Sequence, residues 1–211
     1  MIIPEGENTM PDFPAADWSS LVDLLAVQGH AVLPAALPAA SWIALQAEAR
    51  QLLGQGAFAP ARIGRGDSLH RESSVRGDGL CWLEPGLAAG SAYLRWMEGL
   101  RLALNRELFL GLDEFEAHYA HYPVGAFYRR HVDRHRDSNA RVISSVFYLN
   151  AHWREEEGGE LLMQDEAGEV LFAQPPRGGT LVLFKSADMP HEVLPATRER
   201  WSIAGWFRTR S

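Results

Sequence analysis

Apolar residues recur at three- and four-residue intervals in three stretches of the first half of the chain. That spacing gathers them on one face of a helix. Trp18, Leu21, Leu24 and Leu25 mark a helix over residues 17–28, closed by Gly29. Trp42, Leu45, Ala49 and Leu52 mark a second over 38–53, closed by Gly54. Tyr93, Leu94, Met97, Leu100, Leu104 and Leu108 mark the longest, over 90–110. Between the first two, residues 30–33 read as a short strand in which His30 is structural rather than a ligand.

From residue 114 the period falls to two, the period of strands. Seven strands are expected, over 115–122, 127–132, 142–149, 160–163, 170–173, 180–184 and 202–208, separated by Gly, Pro and Asn clusters. A further apolar strand is expected over 75–82, after a glycine-rich charged stretch that begins at Gly64. Cys81 sits in that strand as packing, not as a nucleophile. Helices first and short strands after predict an α+β, mainly β chain: an antiparallel double sheet with N-terminal helices packed on one side. Residues 1–16 read as a loose, Pro-rich lead-in. Residues 17–211 read as one domain, with helical support over 17–110 and a strand core over 114–208. Glu155, Glu156 and Glu157 are expected in a solvated loop.

Composition narrows the class. A hydrophobic content of 46% in 211 residues suits one buried core. The formal net charge of −7 argues against a general nucleic-acid binder. A single cysteine rules out an internal disulfide. The start carries no cationic apolar leader, and no run approaches the ~20 apolar residues of a membrane span. A cytoplasmic protein without nucleic-acid or membrane partners is the expectation.

The densest chemistry lies at Tyr128-Arg129-Arg130-His131-Val132-Asp133. In a strand, residues i and i+2 share a face, so His131 and Asp133 can grip one ion from one side. A second imidazole from His191 completes a 2-His-1-carboxylate set, the facial ligand arrangement of non-haem Fe(II) oxygenases. Eight His and ten Asp in 211 residues give about 0.4 H-x-D pairs by chance. A second pair, His135-Arg136-Asp137, is indeed present. The first is distinguished by its company: a strand before it, a later His191, and Arg200 beyond that.

These stretches resemble the 2-oxoglutarate-dependent prolyl hydroxylases related to the hypoxia-inducible-factor hydroxylases. The likeness runs from about residue 62 to 207. It is carried by S-V-R-G-D-G-L-C-W-L-E at 74–84, H-Y-P at 121–123, Y-R-R-H-V-D at 128–133, F-Y-L-N at 147–150, G-G-E-L at 158–161, P-H-E-V-L-P-A at 190–196, and Arg200. One residue fewer than in the family separates Tyr122 from His131.

The resemblance implies a double-stranded β-helix, or jelly roll. It implies Fe(II) on His131, Asp133 and His191, with 2-oxoglutarate and O2 as co-substrates, succinate and CO2 as co-products, and ascorbate as reductant. Arg200, rather than Arg198, takes the position that grips the far carboxylate of 2-oxoglutarate. Tyr148 and Tyr122 align with co-substrate tyrosines, and Val146, Leu161 and Trp206 with the pocket walls. Ala204 departs from the family, where a Thr is common, so one hydrogen bond to the co-substrate is expected to be missing or replaced. Arg76, Asp78, Trp82 and Arg141 align with substrate-binding positions, beside a finger loop over 64–75 expected to be mobile. Arg129, Arg130, Arg134, Arg136 and Arg141 give a local positive field that could steer an anionic ligand. His118 and His121 are assigned no ligand role.

The implied reaction is hydroxylation of a prolyl residue in a protein, and elongation factor Tu is the first candidate substrate by resemblance. Two other readings stay open: the same chemistry on a free amino acid or small metabolite, and a non-catalytic module that senses 2-oxoglutarate.

Overall fold

In a computed structural model, residues 13–61, 72, 74–133 and 140–210 are described. Two sheets face each other, and three helices back the larger one. The helices are α1 (Ser19–Gln28), α2 (Ala39–Gly54) and α3 (Ala88–Leu108). Strands β1 (His30–Leu33), β2 (Ala59–Pro60), β3 (Gly79–Trp82) and β4 (Glu114–Tyr122) precede the histidine-bearing segment. Then come β5 (Tyr128–His131), β6 (Arg141–Tyr148), β7 (Leu161–Gln164), β8 (Val170–Gln174), β9 (Leu181–Lys185), β10 (His191–Val193) and β11 (Arg200–Arg208). The large sheet runs β1-β9-β6-β11-β4-β3-β2 and the small one β5-β10-β7-β8. Every pairing between these strands is antiparallel. This is the expected jelly roll with helical support.

Alternation along the large sheet builds two cores at once, because successive side chains point to opposite faces. Tyr119, Phe147, Leu181, Leu183 and Ile203 face the helices and pack with Leu25, Leu45, Tyr93, Met97 and Leu104. Their neighbours Ala120, Tyr148, Val182 and Phe184 face the small sheet and pack with Leu161, Met163 and Val193. The second core is smaller, since part of that face lines a cavity.

Two polar staples fix the frame. Glu48 accepts from the main-chain N–H groups of Ala89 (2.9 Å) and Gly90 (2.8 Å) and from the Tyr119 hydroxyl (2.7 Å). A carboxylate at the first turn of α3 meets unpaired N–H groups and the positive end of the helix dipole. The Asn150 amide donates to Pro176 O (2.8 Å) and Trp201 O (2.9 Å) and accepts from Trp201 N (2.7 Å). It thereby ties the end of β6 to the start of β11, beside Arg200.

Several expectations shift. Gly54 is the last residue of α2 rather than its stop; Gly29 does end α1, in a left-handed conformation. The strand expected over 75–82 is confined to β3, with one isolated bridge between Arg76 and Tyr128. Strands β2 and β10 carry too few residues for an alternating pattern and were not expected. The triple-glutamate stretch is a 3-10 turn, in which Glu157 pairs with Arg198. The lead-in is not loose to its end: Phe13 is 8% exposed and belongs to the helix-side core. Residues 1–12 lie outside the described residues. His30 stacks on Phe172 at 4.5 Å, a packing role. Cys81 packs against the helix-side core. Among the described residues no helix is long and apolar enough to cross a membrane.

Candidate active site

His131 and His191 come together through strand register. Antiparallel β5 and β10 place them directly opposite each other, with ring centroids 4.2 Å apart. Asp133 follows two residues beyond His131. Its carboxylate lies 3.5 Å from His131 Nε2 and 3.8 Å from His191 Nε2. One ligand atom from each residue falls within 4.8 Å of the others, the one such cluster among the described residues.

The hydrogen-bond pattern says what the cluster is for. His131 Nδ1 faces Arg129 O at 2.8 Å and His191 Nδ1 faces Met189 O at 2.9 Å. A carbonyl only accepts, so each Nδ1 carries a proton and the Nε2 of each ring is the atom turned toward the carboxylate. Burial pushes His191 down to about 4, which keeps that ring neutral at pH 7. Burial alone would raise Asp133, but His191, His131 and the Ser144 hydroxyl outweigh it and hold the carboxyl well below the usual range. Two imidazole Nε2 atoms and a carboxylate converging on one point fit a single divalent cation.

The same cavity, of about 630 Å³, reaches Arg200. The Arg200 side chain is 2% exposed. Its Nε donates to Gly159 O (3.0 Å) and its Nη1 to Ser202 Oγ (3.3 Å). Among the described residues no carboxylate pairs with it. Its guanidinium stands 5.0 Å from the Tyr122 ring and 5.2 Å from the Tyr148 ring. The Tyr148 hydroxyl is buried without a hydrogen-bond partner, and burial pushes it up to about 12, so it remains a donor. A buried, unpaired guanidinium beside an unused hydroxyl is costly unless a ligand carboxylate completes it. The residues therefore fit a dicarboxylate that reaches from Arg200 to the histidines.

Gly159 lets its carbonyl approach Arg200. Its φ is +75°, and a Cβ there would lie 2.9 Å from Ala196 Cβ. Val146 and Leu161 form apolar walls, and Trp206 lines the same cavity with a buried, unpartnered Nε1. Ala204 brings no hydroxyl, but Ser202, two residues back on the same face, brings one and bonds Arg200. Sequence reading missed Ser202 and Ser144. The available signal was position, since Ser144 stands two residues from the expected wall Val146 and Ser202 two residues from Ala204, where a hydroxyl was expected to be missing. Tyr148→Phe removes one buried donor. We expect it to weaken 2-oxoglutarate binding by about 0.5–3 kcal/mol in calorimetry while leaving the metal site intact.

At the mouth, Arg76 grips Asp78 through Nε (2.8 Å) and Nη2 (2.6 Å) and lies over the Tyr128 ring at 4.2 Å. Tyr128 in turn stacks on His131 at 3.6 Å. The Arg-Gly-Asp segment thus buttresses a histidine of the cluster, although both charged residues also line the cavity. Trp82 is 42% exposed at the opening. Arg141 lies 3.6 Å over Trp206 and pairs with Glu116 at 3.1 Å, so its charge is partly compensated. Arg130 donates to Asp165 O at 2.9 Å. His121 points to the other face, stacked on Trp201 at 4.3 Å, whereas His118 lines the cavity. His135, Asp137, Arg134, Arg136 and most of the expected finger loop lie outside the described residues.

Buried His118 has a pH consequence. Burial pushes it down to about 4, from an ordinary value near 6.5. The native state therefore refuses a proton that the unfolded chain accepts. Its contribution is full above pH 6.5 and declines as the pH falls toward 4, by about 3 kcal/mol in total. Urea unfolding at pH 7 and pH 5 should show about 2 kcal/mol of this loss, and His118→Met should reduce it.

Fold and site together define a class: jelly rolls with a facial His-Asp-His cluster and a buried arginine in one cavity. A profile of the 2OG-Fe(II) oxygenase superfamily matches residues 117–208. A prolyl-4-hydroxylase of Pseudomonas putida is 44% identical, with a TM-score of 0.84, covering 92% of this chain and 100% of that one. A Trichoplax adhaerens prolyl hydroxylase, solved with a hypoxia-inducible-factor oxygen-degradation-domain peptide, is 25% identical, with a TM-score of 0.81 over 90% of this chain and 88% of that one. Human Egl nine homolog 1 is 29% identical over 170 residues, 76% of this chain and 39% of that protein. The chain thus spans less than half the length of such curated relatives. The chain belongs to the 2OG-Fe(II) oxygenase superfamily.

Proposed function

We propose that this chain is an Fe(II)- and 2-oxoglutarate-dependent dioxygenase that hydroxylates a prolyl residue in a protein, releasing succinate and CO2. The observation that carries the reading is the buried, unpaired Arg200 in the same cavity as three converging metal-ligand atoms. Bound iron, with 2-oxoglutarate and O2, would supply the oxidising chemistry, placing one oxygen atom in succinate and one on the substrate. His131, Asp133 and His191 hold the ion from one side and leave its other positions open to ligands. Arg200 and Tyr148 fix the far carboxylate of 2-oxoglutarate, with Tyr122 against the guanidinium. Val146, Leu161 and Trp206 exclude water. Arg76 and Asp78 keep Tyr128 stacked on His131, while Trp82 and Arg141 stand where a peptide would enter. Ascorbate serves as reductant, and the single cysteine suits a reducing cytoplasm.

A proline suits such a mouth physically. Its ring locks φ and it has no N–H, so an extended segment presents it at low entropic cost. Likeness to prolyl hydroxylases over nearly the whole chain supports a peptide rather than a free metabolite. Elongation factor Tu is the first substrate to try. The enzyme should be incubated with Fe(II), 2-oxoglutarate, ascorbate and proline-containing peptides of that factor. The expected result is a mass gain of one oxygen on proline with matching succinate. Robust hydroxylation of free amino acids instead would replace this reading with the metabolite one. Binding of 2-oxoglutarate without succinate release would replace it with the sensing module.

A further inference from the structure

Strand register sets the cavity face of the large sheet in rows. Tyr122 stands opposite Arg200, and Ala120 opposite Ser202, which in turn faces Tyr148. The next row is Trp82, His118, Ala204 and Val146. Of the residues fitted to 2-oxoglutarate, Arg200, Tyr148 and Val146 stand on β11 and β6, while Tyr122 stands on β4 opposite Arg200, two rows from His118. His118 stands on β4, on the opposite side of β11 from β6, next to exposed Trp82. With Trp82, exposed at the opening, directly opposite it, His118 faces the part of the cavity that leads to the mouth.

The His118 ring is 3% exposed and fixed. Trp82 meets it edge-on at 5.2 Å and Trp206 at a tilt at 5.6 Å. Its Nδ1 faces Tyr119 O at 3.2 Å, so the proton sits on Nδ1 and Nε2 is a bare acceptor. No described residue donates to that Nε2. Burial keeps the ring neutral at pH 7. His118 lines the cavity, so this acceptor is open to a donor that a ligand brings. At neutral pH 2-oxoglutarate carries acceptors only, so it cannot be that ligand.

We propose that His118 is a specificity-determining residue whose Nε2 accepts a hydrogen bond from the main-chain N–H of a peptide residue adjoining the target proline. The inference rests on the prolyl-hydroxylase reading above. Proline itself has no N–H to give, so the donor must come from a neighbour.

The test compares wild type, His118→Met and His118→Gln on a proline peptide of elongation factor Tu and two ester analogues. In each analogue an ester oxygen replaces the N–H on one side of the target proline. We expect His118→Met to raise the peptide KM about tenfold, the effect of one buried hydrogen bond. The KM for 2-oxoglutarate should move less than twofold. One ester analogue should lose the same tenfold with wild type and nothing more with His118→Met, the signature of a coupled pair. His118→Gln, which keeps an acceptor, should recover most of the loss. If His118→Met does not fold, as judged by its thermal transition, His118→Gln and the esters carry the comparison. Equal discrimination of parent and ester peptides by all variants overturns this inference alone. Wild type that hydroxylates no peptide but turns over a free amino acid overturns the functional reading, and this inference with it.

Discussion

Asp133→Ala should abolish turnover and metal binding together, a loss of at least ~100-fold. Changes in residues that merely orient metal ligands already cost 10–100-fold, and Asp133 is the only carboxylate in the cluster. Removing it leaves two imidazole rings, their centroids 4.2 Å apart, with no anion to balance a divalent cation. Asp137→Ala, in the second H-x-D pair, should keep most of the activity. Metal content by mass spectrometry and succinate release, measured on both variants, check the contrast. The reverse pattern would move the site to His135 and Asp137. The thermal transition of Asp133→Ala, set beside that of the wild type, separates loss of the metal site from loss of folding.

Arg200→Ala should raise the 2-oxoglutarate requirement at least ~30-fold. Truncating one partner of a buried, hydrogen-bonded charge pair costs about 2–5 kcal/mol. The remaining Tyr148 hydroxyl cannot replace a bidentate guanidinium. Arg198→Ala is the natural control. Arg198 pairs with Glu157 at 3.4 Å on the surface, and such pairs contribute little. Calorimetric titration with 2-oxoglutarate should separate the two variants clearly. Equal binding by wild type and Arg200→Ala would place the carboxylate pocket elsewhere.

Which parts of this architecture were legible in the chain follows from the range of the forces involved. The three helices were legible because each buries a stripe set by local spacing. Long strands such as β4, β6 and β11 were legible because one face is apolar over eight or nine residues. β10 was not legible. It has three residues, follows Pro190, and exists because β5 and β7 flank it. Yet β10 is the element that sets His191 opposite His131. The i, i+2 relation of His131 and Asp133 could be read locally, whereas the closure of the triad is a tertiary event.

The carboxylate end shows the same division. Nothing local links Tyr148 to Arg200; adjacent strands bring them together, and only family likeness pointed there. Gly159 reads as loop punctuation until its carbonyl is seen against the Arg200 Nε. The role of Glu48 at the start of α3 spans 41 residues of sequence and left no pattern at all. His118 was visible as one histidine of an alternating strand. Its placement on the cavity side, with His121 on the other, follows from period two once one of them is anchored.

The central claim is that one cavity uses a metal and 2-oxoglutarate to put oxygen on a prolyl residue. The most direct measurement is mass spectrometry of host-cell proteins from cells carrying the wild-type gene or its Asp133→Ala variant, grown under 18O2. One or a few proline-containing peptides should carry a single 18O in the first culture and none in the second. Identical hydroxyproline inventories in the two cultures, or label on a residue other than proline, would contradict it.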